Sequence, residues 1–326
     1  MDRGRTRAGL LTRSAAVLIN VGAWAGALAD PVAVSSAPLL RAMQWMAPAD
    51  RLTALTRRPA ECAAPLPETD LSSFEVGHVA FQTPVLLGGQ AARAGLACES
   101  CHRGGRDNPA FLFPGLSAAP GTADVTSSLL SSHRGNGVFD PRPIPDLAKP
   151  GKISRDPQSA DLRRFIRGLV VEEFDGAELP TRVLDGLATY VRAQSAAPCP
   201  TTTVQEIGVA LYLDDIRRAT AAAIDAWRDG DPPAARLMLS GARTALGLLD
   251  ERFALPGLEA DRRGLRNADS GILAVQLALD RGDGDIDVRL AAWNAASTDW
   301  SPGLRREEAQ SLFNAGILRA AYSLPP

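Results

Sequence analysis

The sequence is poor in cysteine, in aromatic residues and in net charge, and it has no long hydrophobic run. Four cysteines in 326 residues are too few for a disulfide-dense scaffold, but they suffice for one specific site and one bridge. A formal net charge of −2 gives no electrostatic basis for nucleic-acid binding. Aromatic residues are 5% and charged residues 22% of the chain, which indicates neither disorder nor a multi-span membrane protein.

Residues 1–29 have the three parts of a secretory signal peptide. Four arginines precede an apolar stretch over 14–29, which ends in the small-residue pattern Ala27-Leu28-Ala29. The stretch is shorter than the roughly 20 residues of a transmembrane helix, and nothing later in the chain approaches that length. We therefore predict Sec-type export, cleavage after Ala29, and a mature chain in the bacterial periplasm without a transmembrane span. A buried N-terminal helix is the alternative.

The remaining chain divides into two parts of different composition. Residues 30–200 are rich in Pro, Gly and Ser; their periodicity predicts helices over 39–57, 159–170 and 180–193, with mainly loop over 104–157. So long a loop is expected in a compact domain only if it surrounds something large, such as a cofactor. Residues 201–326 predict an antiparallel bundle of helices over 204–228, 232–253, 258–279, 286–296 and 304–322.

One motif indicates the chemistry. Cys98-Glu99-Ser100-Cys101-His102 has the C-x-x-C-H spacing of a c-type haem attachment site. Two thiols separated by two residues on a helical turn can each add to one vinyl group of haem, and the next residue is then an imidazole below the ring. We predict one covalent haem c, bound through Cys98 and Cys101, with His102 as an axial iron ligand.

Two other interpretations of this motif are weaker. A thioredoxin-like redox pair needs no following histidine and needs an α/β pattern, which this stretch lacks. A zinc site needs further ligands nearby, and the only other cysteines are Cys62 and Cys199.

The sequence around the motif resembles one haem domain of the bacterial di-haem cytochrome c peroxidases and MauG-like proteins. The resemblance covers about residues 74–195 and rests on GHVAF (77–81), PVLLGG (84–89), the motif itself, DVTSSL with SHRG (124–135), and FIRG with LATYV (165–191). It implies a loop-rich, cytochrome c-like haem domain over 30–200. The helical bundle predicted over 201–326 is not covered by the resemblance, and together the two parts predict an all-α protein. The family has two C-x-x-C-H motifs and this chain has one, so peroxidase activity is not directly implied.

The second axial position of the iron has several candidate ligands. They are His78, His133, Met43, Met46, Met238, Lys149 and Lys152. We favour His133, which lies in the Ser/Gly-rich loop SSHRGNG, against the alternative of an exposed loop histidine. His78 is expected to have a packing or propionate role, and Met43 and Met46 are expected to fill the core.

Arginine and cysteine residues near the motif complete the predicted site. Arg103, Arg106 and Arg134 flank the predicted haem segments and could pair with haem propionates, because a guanidinium matches a carboxylate; each could equally be a solvated surface charge. Cys62 and Cys199 remain after haem attachment, and an oxidising compartment favours a disulfide between them.

Two functions are compatible with these features. The first is a periplasmic single-haem cytochrome c that exchanges electrons with a redox partner protein and is not itself an enzyme. The alternative is a single-haem, peroxidase-like enzyme related to the di-haem peroxidases. The second axial ligand distinguishes them, because peroxide chemistry needs an open or labile iron position.

Overall fold

The computed structural model of the chain is mostly helical, which agrees with the prediction of an all-α protein. It describes residues 40–127, 129–133, 135–151, 153–195, 197 and 203–325. The predicted signal peptide lies outside these residues. Within them, no helix is both long enough and apolar enough to cross a membrane.

The first part of the chain consists of short helices joined by a long loop. Its helices are α1 Arg51–Thr56, α2 Glu68–Phe81, α3 Gly89–Arg93, α4 Cys98–Cys101, α5 Asp161–Gly168 and α6 Thr181–Ala193. Strand β1 is Arg57–Pro59, and β2 (Thr122–Ala123) pairs with β3 (Arg142–Pro143). Among the described residues between 106 and 160, β2 and β3 are the only helices or strands. The eight prolines of 104–157 predict such a segment with little regular structure.

The second part consists of longer helices. They are α7 Val209–Arg228, α8 Pro232–Arg252, α9 Glu259–Asp280, α10 Ile286–Glu307 and α11 Ala315–Tyr322, preceded by strand β4 Val204–Glu206. Helix α8 packs against α7 and α9, and α10 packs against α9 and α7. Asp231 caps α8 by accepting a hydrogen bond from the Ala234 amide at 3.0 Å, as the Asp-Pro-Pro sequence predicts.

Several boundaries differ from those predicted. The single helix expected over 39–57 is two short 3-10 helices, Arg41–Trp45 and Pro48–Asp50, followed by α1, and the helix expected over 304–322 is α11, which begins only at Ala315. Helix α7 begins five residues later than expected, because residues 204–206 pair with β1 and a distant strand overrides the local helical pattern. Helix α10 continues through Pro302 to Glu307, where the sequence predicts a break. The indole of Trp293 donates to the Ala268 carbonyl at 2.9 Å and packs edge-on against Trp300, so contacts with α9 hold the part of the helix that precedes Pro302.

Helices α2 and α6 approach each other backbone to backbone. A Cβ atom on Gly77 would collide with the carbonyl oxygen of Gly186 and would lie 2.7 Å from the Cβ of Tyr190. The Ser73 hydroxyl donates to the Thr189 hydroxyl at 3.2 Å across the same contact. Glycine at both positions therefore permits a contact that any side chain would prevent.

A buried ionic cluster joins α2 to α7. His78 Nδ1 lies 2.9 Å from Glu61 Oε1, and His78 Nε2 lies 3.3 Å from Asp215 Oδ1. Burial disfavours the charged imidazole, but Glu61 and the hydrogen bonds to both carboxylates raise the pKa of His78 to about 8. Burial also opposes ionisation of Glu61, but His78 and Arg218 lower the pKa of Glu61 to about 2. The pair is therefore charged at neutral pH.

The two parts of the chain share one core. A single cluster of buried hydrophobic residues runs from Leu40 to Leu324, and the described residues belong to one compact unit. The change of composition near residue 200 thus separates two kinds of structure that pack against each other.

The contact between α2 and α6 gives a direct test of this packing. We expect Gly77→Ala to lower the free energy of unfolding by about 1–3 kcal/mol, because the added methyl group forces the helices apart. Gly168→Ala is the matched control, since Gly168 has helical backbone angles and open space around its Cβ position. It should be neutral or stabilising by up to about 1 kcal/mol. Urea unfolding measures both, and equal stability of the two variants would contradict the packing described.

Candidate functional site

An apolar cavity of about 510 Å³ lies beside the C-x-x-C-H motif. Helix α2 contributes Phe81, α6 contributes Leu187 and Val191, and most of the remaining apolar wall comes from the long loop and α5. These loop and α5 residues are Phe111, Leu116, Ala123, Val125, Leu130, Leu147, Ile153, Leu162, Phe165 and Ile166. The loop of residues 104–157 therefore wraps a cavity, as its length led us to expect.

Local hydrogen bonds fix helix α4, which contains both motif cysteines. Ser100 Oγ accepts from the Ala97 amide at 3.0 Å, and the Ser100 carbonyl accepts from Asn108 Nδ2 at 2.8 Å. The Glu99 carboxylate accepts from the Gly104 amide at 3.0 and 3.1 Å. Gly104 has a φ of +57°, and a side chain there would collide with the Pro59 carbonyl of β1, so the turn after the motif requires glycine.

Cys98, Cys101 and His102 all line the cavity. The two cysteines are three residues apart on α4, a spacing that places side chains on one helix face, and both are free thiols. Burial raises the pKa of both thiols to about 12. A redox-active C-x-x-C pair instead has a lowered thiol pKa, so this environment differs from that of a thioredoxin-like site.

The imidazole of His102 is held in one tautomer. Its Nδ1 lies 3.1 Å from the carbonyl oxygen of Pro145, and a carbonyl can only accept, so Nδ1 bears the proton. Burial lowers the pKa of His102 to about 4, although the hydrogen bond to Pro145 opposes this shift. The ring is therefore neutral at physiological pH, and Nε2 retains a lone pair. Metal-binding histidines are commonly oriented by such a bond from the other ring nitrogen.

The residues present fit a covalent haem. The cavity volume lies in the range of about 300–1,000 Å³ that is usual for cofactor sites, and its walls are mainly apolar. Two thiols on one helix face and one oriented neutral imidazole belong to the same wall. This is the donor set that haem c attachment and axial ligation require.

The cavity offers few other ligands. Among the described residues that line it, the polar side chains outside the motif are Asp124, Ser154 and Asp161, and there is no methionine or second histidine. Asp124 Oδ1 already accepts hydrogen bonds from the amide and hydroxyl of Thr126, at 3.1 and 2.9 Å.

The structure does not bring His133 to the cavity. Its side chain is 63% exposed, and its Nε2 lies 3.8 Å from Asp175 Oδ1. The adjacent Ser132 amide donates to the two carboxylate oxygens of Asp175 at 2.8 and 3.0 Å. These contacts hold the loop at the surface, so the role of His133 as a distal ligand stays a prediction that this arrangement does not support.

The other candidate axial ligands also lie elsewhere. His78 belongs to the ionic cluster between α2 and α7, which is a packing role. Met43, Met46 and Met238 are buried in the hydrophobic core, as predicted for the first two. Lys149 is exposed, and Lys152 lies outside the described residues.

The three flanking arginines occupy different environments. Arg106 makes a two-point ion pair with Asp146, with N–O distances of 2.9 and 2.8 Å. Arg103 does not line the 510 Å³ cavity but a smaller one near β1. Arg134 lies outside the described residues, so its predicted propionate contact stays a prediction.

Cys62 is disulfide-bonded. Its predicted partner, Cys199, lies outside the described residues. In the part of the chain that the structure describes, no group of three or more His, Cys, Asp or Glu side chains forms an arrangement able to hold a metal ion.

Sequence reasoning missed the groups that position the motif. The Pro145 carbonyl is a backbone atom 43 residues from His102, so no residue type identifies it in advance. Glu99 stands inside the motif and could have been singled out, because a carboxylate between two buried cysteines needs partners. Its partners are Gly104 and Arg58.

Comparison of the chain with protein-family models, with curated proteins and with solved structures finds no match.

The Arg106–Asp146 pair should stabilise the loop that bears Pro145. Arg106→Gln leaves the Asp146 side chain, which is 3% exposed, as an unpaired buried carboxylate, and we expect a loss of about 3 kcal/mol in the free energy of unfolding. Arg142→Gln is the control, because Arg142 and Asp140 form an ion pair at the surface of the same loop. It should cost less than about 0.5 kcal/mol. Equal losses in urea unfolding would show that the Arg106 pair does not brace the loop.

Proposed function

We propose that this protein is a single-haem c-type cytochrome that exchanges electrons with a redox partner protein. The observation that supports this most strongly is the shared wall of the apolar cavity, where Cys98, Cys101 and a neutral, oriented His102 stand together. When bound, haem supplies a reversible one-electron couple. The polypeptide supplies attachment through the two thiols, an axial nitrogen from His102, and an apolar enclosure that excludes most water.

One edge of the cavity supports electron exchange with a partner. Phe165 lines the cavity, and its side chain is 59% exposed. A cofactor bound there would approach solvent at this edge, where a partner protein could come close to it.

The proposed architecture is a cytochrome c-like domain followed by an antiparallel helical bundle. Helices α2 and α6 enclose the motif segment and contribute to the cavity, which supports the first element. Residues from the start to the end of α8 form ion pairs with residues from the end to the start of α9, as in an antiparallel helix pair, which supports the helical bundle. These ion pairs are Arg236–Asp280, Arg243–Asp269 and Arg262–Asp250.

The proposed compartment is the bacterial periplasm. The sequence of residues 1–29 supports export, and a disulfide at Cys62 is of the kind that persists in an oxidising compartment.

A single-haem, peroxidase-like enzyme is a second candidate. It is favoured by the absence of a second histidine or a methionine among the described residues that line the cavity. An iron with one protein ligand can bind peroxide, whereas electron transfer proceeds with or without a second ligand.

Covalent attachment can be tested with cysteine variants. We expect the purified, denatured protein to retain haem-dependent peroxidase staining on a gel. Cys98→Ala with Cys101→Ala should abolish the stain, because both thioether bonds are lost. Cys62→Ala with Cys199→Ala removes the same number of thiols and should keep the stain per unit of protein. Survival of the stain in the first double variant would refute the attachment site.

Coordination can be tested by spectroscopy. Because the described cavity lining has no second nitrogen or sulfur ligand, we expect the ferric protein to be high-spin and to bind cyanide rapidly. His133→Ala should leave both properties unchanged. A low-spin spectrum that becomes high-spin in His133→Ala would contradict this and identify His133 as the distal ligand.

Peroxide turnover then separates the two candidate functions. The electron-transfer proposal predicts that the protein does not catalyse oxidation of a reduced donor cytochrome by hydrogen peroxide. Sustained turnover, abolished in the Cys98→Ala, Cys101→Ala variant, would establish the second candidate instead.

A further inference from the structure

A second cavity, of about 130 Å³, lies near helix α4. Glu99, Ser100 and Arg103 from the motif segment contribute to its wall, and Tyr212 of α7 and Thr244 of α8 contribute from the second part of the chain. Of the residues that line the two cavities, only Ala97 belongs to both. The smaller cavity is therefore a separate space between the motif and the long helices.

Arg103 lines this cavity and is half-buried, and its side chain has no hydrogen-bond or ion-pair partner among the described residues. Burial lowers its pKa, while Glu99 and Tyr212 raise the pKa and the guanidinium groups of Arg58 and Arg252 lower it. A guanidinium nevertheless stays charged at neutral pH and offers five N–H donors. A charged donor group thus borders the cavity with its hydrogen-bonding capacity unused.

The charged groups near Arg103 all have other hydrogen-bond or ion-pair partners. Glu99 is the only carboxylate among the described lining residues, and it accepts from the Gly104 amide and from Arg58 Nη1 at 3.4 Å. Arg41, which also lines the cavity, forms an ion pair with Glu251 at 3.0 Å. Arg252 donates to the carbonyls of Leu312 and Leu55. The cavity therefore has an excess of positive charge.

Two hydroxyl groups that can donate hydrogen bonds also line the cavity. Tyr212 presents a phenol hydroxyl to the cavity, and this group can donate one hydrogen bond. Ser100 Oγ accepts from the Ala97 amide, so its proton is also available. Both residues line the cavity with Arg103.

We propose that this cavity binds one small oxyanion, of the carboxylate or phosphate class, through Arg103, Tyr212 and Ser100. The volume of 130 Å³ is several times the roughly 30 Å³ that one water molecule occupies in the liquid, so a small oxyanion fits. A nucleotide or a second haem does not. The site involves both parts of the chain, so a bound anion would strengthen the contact between the motif segment and helices α7 and α8.

Calorimetric titration of the full-length, haem-loaded protein tests this proposal, with inorganic phosphate and succinate as the two probes. We expect saturable one-site binding, and the tighter of the two probes identifies the anion class. Arg103→Gln should weaken binding by at least about tenfold, the effect of losing charge-assisted hydrogen bonds. Arg305→Gln removes the same charge from an exposed position on α10 and should change the affinity by less than about twofold.

Tyr212→Phe keeps the volume and tests the site in a second way. It should weaken binding several-fold, without loss of haem. Absence of saturable binding of both probes, or equal binding by wild type and Arg103→Gln, would overturn the proposal. Binding seen only in the haem-free Cys98→Ala, Cys101→Ala variant would also overturn it, because haem carboxylates would then be the partners of Arg103.

Discussion

The contact of α2 with α6 at Gly77 and Gly186 is the constraint on which the remaining structure depends. It brings the two helices within van der Waals distance along their backbones, so that Phe81 at the end of α2 and Leu187 on α6 both reach the 510 Å³ cavity. The same turn of α2 presents His78 to Glu61 and Asp215, which joins α2 to α7 through a buried charged pair. One close crossing therefore shapes the cavity and also attaches the long helices to it.

The long loop completes the cavity but has little regular structure of its own. Its position depends on specific polar contacts, among them the Arg106–Asp146 ion pair, in which the Asp146 side chain is 3% exposed. Asp146 also accepts from the Ala148 amide at 2.9 Å, which fixes the turn beside Pro145. Because the Pro145 carbonyl orients His102, the ion pair acts through the backbone on the histidine that we propose as the axial ligand. Pro145 and Asp146 lie more than 40 residues after the motif in the sequence, and the fold brings them beside it.

Sequence reasoning was most successful where periodicity or spacing determines the structure. The periodic spacing of apolar residues in α5, α6, α8 and α9 predicted these helices to within a few residues. The C-x-x-C-H spacing predicted that Cys98, Cys101 and His102 line one cavity. Sequence reasoning failed where the structure of a segment depends on contacts with residues that are distant in the sequence. Residues 204–206 are a strand because β1 lies beside them, and α10 passes Pro302 because Trp293 and Trp300 pack against α9. The His133 side chain likewise lies near Asp175, and the Arg103 side chain lines the second cavity. No local sequence pattern predicts either position.

The account makes one central claim, that Cys98 and Cys101 attach a single haem in the apolar cavity. Mass spectrometry of the intact protein under denaturing conditions tests it most directly, because only a covalently attached cofactor remains with the chain. The account predicts one species, beginning at Asp30, that is heavier than the polypeptide by the mass of one haem. A species with the mass of the polypeptide alone, from cells that mature other c-type cytochromes, would contradict it.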